Sequence, residues 1–167
     1  MQNFYIFAKK KMNIFFLDEN PKLNAQYHIN CHTTKMCVEY AQLLCSVHHI
    51  CGELTPPYKL THKNHPCSIW CRTSLTNYLA LCELGLELSK EYTHRYGKHH
   101  KSTDVIHWCL DNLPNIKDIG FTPPPLAMPE QYKVDDYVQS YRNYYIGDKK
   151  RFATWKNRDV PSWFKDI

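Results

Sequence analysis

The sequence predicts a mainly α fold, a compact single-domain helical bundle with one long central helix, a short N-terminal strand and a proline-rich strap. Three observations carry that expectation. Apolar residues recur at helical spacing over two long stretches, Gly52 and Gly97 close those stretches, and 43% hydrophobic content over 167 residues suffices for one buried core.

Met1 to Lys11 holds an apolar run of about seven residues followed by three lysines, too short for a membrane span and in the wrong order for a secretory signal. Residues 1–11 are expected to be a mobile N-terminal extension and residues 12–167 the single helical domain. The apolar run 13–17 reads as a strand, ended by Asp18-Glu19-Asn20-Pro21, with a helix opening near Pro21. From His32 to Ile50 the set Met36, Tyr40, Leu43, Leu44, Val47 and Ile50 marks one helical face. Residues 53–64 form a loop, and Asn64-His65-Pro66 supplies a cap and first-turn proline for the longest helix, 67–96. One stripe of that helix is Trp70, Asn77, Leu81, Leu84, Leu88 and Tyr92; a second, Leu75, Leu79, Cys82 and Leu86, makes it apolar on two sides, as a central helix requires. Ser102-Thr103-Asp104 caps a short helix through Leu113, and five prolines between 114 and 130 impose an extended strap. Asp135-Asp136 opens a last helix with Tyr137, Val138, Tyr141, Tyr144 and Tyr145 inward, and Lys149, Lys150 and Arg151 at the end where the helix dipole favours cations. Trp155, Trp163 and Phe164 are expected to fold back onto the body.

A charge of +5, from 21 basic and 16 acidic residues, permits an anionic partner without demanding one. The eight cysteines are expected to be reduced, because no CxxC pair exists and six of them fall inside helical patterns, where a thiol behaves as a small hydrophobe. His28, Cys31 and His32 share a helical face, with Cys45, His48, His49 or Cys51 as a fourth ligand, but no second pair has finger or ribbon spacing, so no metal is expected. A P-loop, a dinucleotide fingerprint, a GxSxG elbow and HExxH are all absent, which removes the commonest enzyme classes and leaves no cofactor expected. No membrane partner is expected.

Two helix starts attract an anion. His32 and Lys35 share a first turn whose free amides and dipole favour phosphate. The segment 61–67 leads His65 into another start, followed by Trp70 and Arg72. The densest cluster, 91–101, interleaves Tyr92, Arg95, Tyr96 and Lys101 as base stacking with phosphate contact requires. These residues give a candidate site: His32 and His65 as general acid or base; Lys35, Arg72, Arg95 and Lys101 on phosphate; Trp70, Tyr92 and Tyr96 stacking on a base; and Asn77 lining the pocket. Each has a structural alternative, as an exposed cap, a core aromatic or a dipole-matched basic terminus.

Five motifs stand together in this chain: His32-x-x-Lys35-Met36; Asn64-His65-Pro66 with Trp70 and Arg72; Glu91-Tyr92-x-x-Arg95-Tyr96-Gly97; Thr122-Pro123 through Ala127-Met128-Pro129; and Tyr141-Arg142-x-Tyr144-Tyr145. As a set, spanning Met12 to Phe164, they resemble a family of short proteins from tailed bacteriophages and large DNA viruses. The resemblance implies a viral protein working in the cytoplasm of an infected host, where nucleic acid and nucleotide metabolism are frequent targets. The expected function is an enzyme acting on a nucleotide or nucleic acid, cleaving a phosphate ester or a glycosidic bond. The alternative is a non-catalytic binder of nucleic acid, a nucleotide signal or a host protein.

Overall fold

Two helices of 22 residues, α2 (Asn30–Cys51) and α4 (Leu75–Tyr96), pack against each other at the centre of the computed structural model, which describes residues 13–52 and 54–165. The proposed 1–11 extension lies outside the described residues. Helix α1 (Pro21–Tyr27) lies on α4, α3 (Pro66–Thr73) packs on both α2 and α4, and so does α5 (Ser102–Asp111). After the strap come α6 (Tyr137–Tyr144), a π turn at Tyr145–Lys149, a 3₁₀ turn at Lys150–Phe152 and α7 (Ser162–Lys165). None of the helices among the described residues is long and apolar enough to cross a membrane. All eight cysteines are free thiols, and Cys37, Cys45, Cys67, Cys71, Cys82 and Cys109 are buried as small core groups.

Two expectations are corrected. Among the described residues there is no strand, and the run 13–17 threads through the core as irregular chain with all five residues buried. A buried backbone must find hydrogen-bond partners, and here helix side chains supply them. Phe15 N–H donates to the Tyr40 hydroxyl (3.0 Å), Leu17 N–H to Asn24 Oδ1 (3.0 Å), and Leu17 O accepts from Arg142 Nε (2.8 Å).

There is also no single long helix from 67 to 96. Ser74, at φ −149° and ψ 141°, is extended and separates α3 from α4. The two helices are held at this corner by Asp118 from the strap, which accepts from Ser74 Oγ (2.8 Å), Thr76 Oγ1 (2.7 Å), Thr76 N–H (3.2 Å) and Gly120 N–H (3.0 Å). A carboxylate at a helix start satisfies orphan amides and opposes the dipole. The hydroxyls of Thr76 and Ser74 and the Gly120 amide pull the Asp118 carboxyl down to about 2. Its cap therefore holds above the unfolded value of about 3.9 and is lost as pH falls through about 2. Asp118→Ala is expected to speed amide exchange at Thr76 and Asn77 and to open the strap to protease; unchanged exchange there would show that the corner holds without the carboxylate.

The strap itself is fastened by α3, α4 and α6. Asn77 receives Thr122 N–H (2.9 Å) and donates to Thr122 Oγ1 (2.8 Å) and Trp70 O (3.0 Å), while Trp70 Nε1 donates to Thr122 O (2.9 Å) and the Tyr141 hydroxyl to Pro125 O (2.7 Å). At the far end of α4, Glu91 pairs with Arg95 (2.7 Å) and with Arg158 (3.0 Å), fixing the C-terminal arm to the bundle. Trp155 is buried in that arm, and Trp163 and Phe164 pack half-buried on the core. Gly97 closes α4 at φ +65°, a conformation that suits glycine.

Candidate functional site

The first turn of α2 is held by two segments distant in sequence. Asn30 grips residues 154–156: its N–H donates to Thr154 O (2.9 Å), its Nδ2 to Thr154 Oγ1 (3.0 Å), and its Oδ1 accepts from Lys156 N–H (2.9 Å). The chain after α4 reaches the same turn, with His100 Nε2 bonded to Thr34 O (3.2 Å) and the Tyr96 hydroxyl donating to Asn30 O (3.4 Å). No side chain caps α2, and Cys31 in its first turn is exposed. A helix start with uncommitted amides favours an anion.

His32 sits on this turn, buried, with its ring stacked on Phe15 at 4.3 Å and its Nδ1 bonded to the Tyr145 hydroxyl at 2.7 Å. Burial first, then the charges of His28, Lys149 and Lys35, push its pKa down to about 2, so the imidazole is neutral. The bond between Nδ1 and the Tyr145 hydroxyl fixes the orientation of the ring. Among the described residues Nε2 has no hydrogen-bond partner. Tyr145 opens the π turn that also carries Lys149, an element that recurs at functional sites because it offsets side chains from the helical ladder.

Lys149 lies half-buried with Nζ 4.9 Å from the Tyr144 ring centre and 5.8 Å from that of Phe152. Desolvation lowers its pKa, Asp148 opposes that, and Lys35 adds to it. A cleft of about 760 Å³ runs along residues Gly147 to Phe152, lined by Lys149, Lys150 and Arg151 against the single carboxylate Asp148, whose Oδ1 is already taken by the Tyr132 hydroxyl (2.6 Å). One turn along α2, Lys35 pairs with Glu39 Oε1 at 3.1 Å, and Glu39 Oε2 is buried without a partner. Lysines, free amides and a neutral imidazole donor make a set that can hold a tetrahedral anion and polarise one of its oxygens.

The other residues expected at the site lie elsewhere or are committed. Arg95, expected to be exposed, is buried, and its donors go to Glu91, His28 O (2.8 Å), Gln26 O (2.9 Å) and Asn30 Oδ1. It therefore holds the α2 start from beneath. Arg72 donates to Lys63 O (2.8 Å) and Ser68 Oγ (3.2 Å), bracing the turn before α3. His65 is the cap of α3, its Nδ1 accepting from Cys67 N–H (3.1 Å), with His62 as its ring neighbour at 6.3 Å; no described contact joins it to His32. Trp70 is core, packed edge-on to Phe16 and Phe121, and Asn77 is fully buried with its bonds spent on the strap. Tyr92 and Tyr96 are half-buried and 5.0 Å apart, with Tyr92 also against His100 at 4.8 Å, so they support the 97–101 loop beside the turn. Lys101 is exposed just before α5. Among the described residues no group of three His, Cys, Asp or Glu side chains could hold a metal.

Sequence reasoning placed Tyr145 in the core and Lys149 on a helix terminus and overlooked Glu39. The Glu39 signal was available, since His32, Lys35 and Glu39 follow i, i+3, i+7 on one face. The Tyr145–Lys149 signal was not, because nothing in the residue pattern announces a π turn. Comparison with known protein families, with curated proteins and with solved structures finds no match for this chain.

Proposed function

We propose that the first turn of α2 binds the phosphate of a nucleotide or nucleic acid, and that the protein cleaves a phosphate ester or glycosidic bond there, as a viral protein in the host cytoplasm. The observation that carries this reading is the neutral His32, oriented by Tyr145 and flanked by Lys35 and Lys149 at a helix start. Lys35 and Lys149 supply charge to phosphate oxygens, and His32 Nε2–H polarises an oxygen of the anion or of the leaving group. The motif resemblance to phage and viral proteins supports the setting. His65 stands outside this proposal.

The low pKa of His32 favours a second reading, a non-catalytic binder, since a base poised for proton transfer titrates near the working pH. A bound phosphate dianion would offset the charges of Lys149 and Lys35 and raise that pKa. Calorimetric titration with nucleoside mono- and diphosphates, followed by product analysis, separates the two. Lys149→Ala is expected to weaken binding roughly tenfold to a hundredfold at low salt, the equivalent of one charge-assisted hydrogen bond. Binding without cleavage of either bond would leave the binder; failure of every phosphate-bearing ligand to bind would remove both.

A further inference from the structure

The cations around the α2 start exceed what one nucleotide uses, and they are joined into one surface. Lys98 and Lys101 lie on the loop that His100 and Tyr96 fasten to Thr34 and Asn30. Lys149, Lys150, Arg151 and Lys156 lie on the segment that Asn30 grips through Thr154 and Lys156. The two segments meet where Lys156 Nζ stands 5.4 Å from the centre of the Tyr96 ring. Of these six cations none pairs with a carboxylate among the described residues. A run of like charges held together on a folded surface repels itself and gains most from a polyanion that neutralises several at once. Aromatic rings are interspersed with these cations: Phe152 is exposed with Lys149 at 5.8 Å and Arg151 at 5.5 Å from its centre, and Tyr96 is half-buried against Tyr92 and Lys156, so an unpaired base stacks on either ring by taking the place of a cation.

We infer that the substrate at this site is a single-stranded nucleic acid rather than a free nucleotide, its backbone crossing the α2 start from the 98–101 loop to the 149–156 segment. This rests on the phosphate-binding proposal above and adds the polymer. One phosphate sits at Lys35, Lys149 and His32, and its neighbours along the strand meet the flanking cations. Paired bases would keep their faces from Tyr96 and Phe152, so a duplex fits this surface less well.

The test is fluorescence anisotropy with labelled oligothymidylates of about 4, 8 and 12 nucleotides, with unlabelled thymidine monophosphate as competitor and a duplex and an oligouridylate of matched length as further arms. Affinity is expected to rise with length and level off. The double variant Lys98→Ala/Lys101→Ala, at two exposed positions, is expected to leave the melting temperature unchanged, to weaken the longest strand about tenfold at low salt and to lower the slope of log Kd against log salt by about 1.4, two phosphates at about 0.7 each. Its affinity for the monophosphate should not move. Monophosphate binding that matches the oligomers, or a double variant with unchanged slope, overturns the strand inference and leaves the phosphate site standing. A duplex that binds as tightly as the single strand overturns the single-stranded assignment. Loss of both monophosphate and oligomer binding in the native protein overturns this inference and the proposal under it together.

Discussion

Glu91→Ala is expected to cost about 3–5 kcal/mol of unfolding free energy, the range seen when one partner of a buried ion pair is removed. The Arg95 side chain is 0% exposed and that of Glu91 is 3%, so neither charge is solvated once the other is gone. Arg95 would keep its bonds to Gln26 O and His28 O but would be left as a buried guanidinium without a counter-charge, and Arg158 would lose the anchor of the C-terminal arm. The exposed Lys90–Glu87 pair on the same helix sets the scale for contrast, since surface pairs contribute about 0–1 kcal/mol. Burial alone would raise the Glu91 carboxyl; the hydrogen bonds and charges of Arg158 and Arg95 outweigh it and hold the carboxyl below the usual range. The sign follows: this contribution is complete above the unfolded value of about 4.3 and is lost as pH falls through the lower folded value. Urea denaturation at neutral pH and again in acid measures both. A loss below about 1 kcal/mol at neutral pH would mean that the arginines find other partners.

Asn77→Ala is expected to cost about 2–4 kcal/mol, because it strands the buried Trp70 O and the partly buried Thr122 N–H and releases the strap from α4. Asn77 makes three of the bonds at this junction, and only the Trp70 indole would remain to hold Thr122. Asn77→Asp is expected to do no better, since the carboxylate cannot donate to Trp70 O or Thr122 Oγ1 and brings a charge into a fully buried position. Limited proteolysis between residues 117 and 125 reads the release directly. If the strap resists cleavage in Asn77→Ala while stability falls, the loss comes from a cavity in α4 and not from the junction.

The helical character was legible in the residues because α2, α4 and α6 carry apolar residues at helical spacing and α5 opens on residues of capping type. The corner at Ser74 was not. It contains neither glycine nor proline, and the carboxylate that stabilises it comes from Asp118, 44 residues away. The run 13–17 was unreadable for a different reason. Five apolar residues in a row announce burial without a period, and the partners of their backbone are side chains from α1, α2 and α6 rather than a neighbouring strand. That His32 and Lys35 lie near the start of a helix could be read from the residues. Arg95 misled because a basic residue near a helix end is usually solvated, and only the fold reveals three carbonyl and amide oxygens of residues 26–30 arranged around it. Trp70, Asn77 and Arg72 misled similarly, being polar or aromatic groups whose partners include backbone atoms that no spacing rule indicates.

The grip of Asn30 on Thr154 closes a separation of 124 residues, and the bond between His32 and Tyr145 closes one of 113. Ordering loops of that length costs entropy that nearby contacts do not incur, so such pairs form late. On the ribosome, α1 to α5 are all synthesised before the π turn appears, and they contain their own core in α2, α4 and α5. The nascent chain is therefore expected to acquire its helical body first and the proposed anion site last, only once residues 145–156 are available to dock. A chain released before Thr154 is expected to keep the central helix pair and to lack the contacts that complete the proposed site, which would tie its assembly to synthesis of residues 145–156.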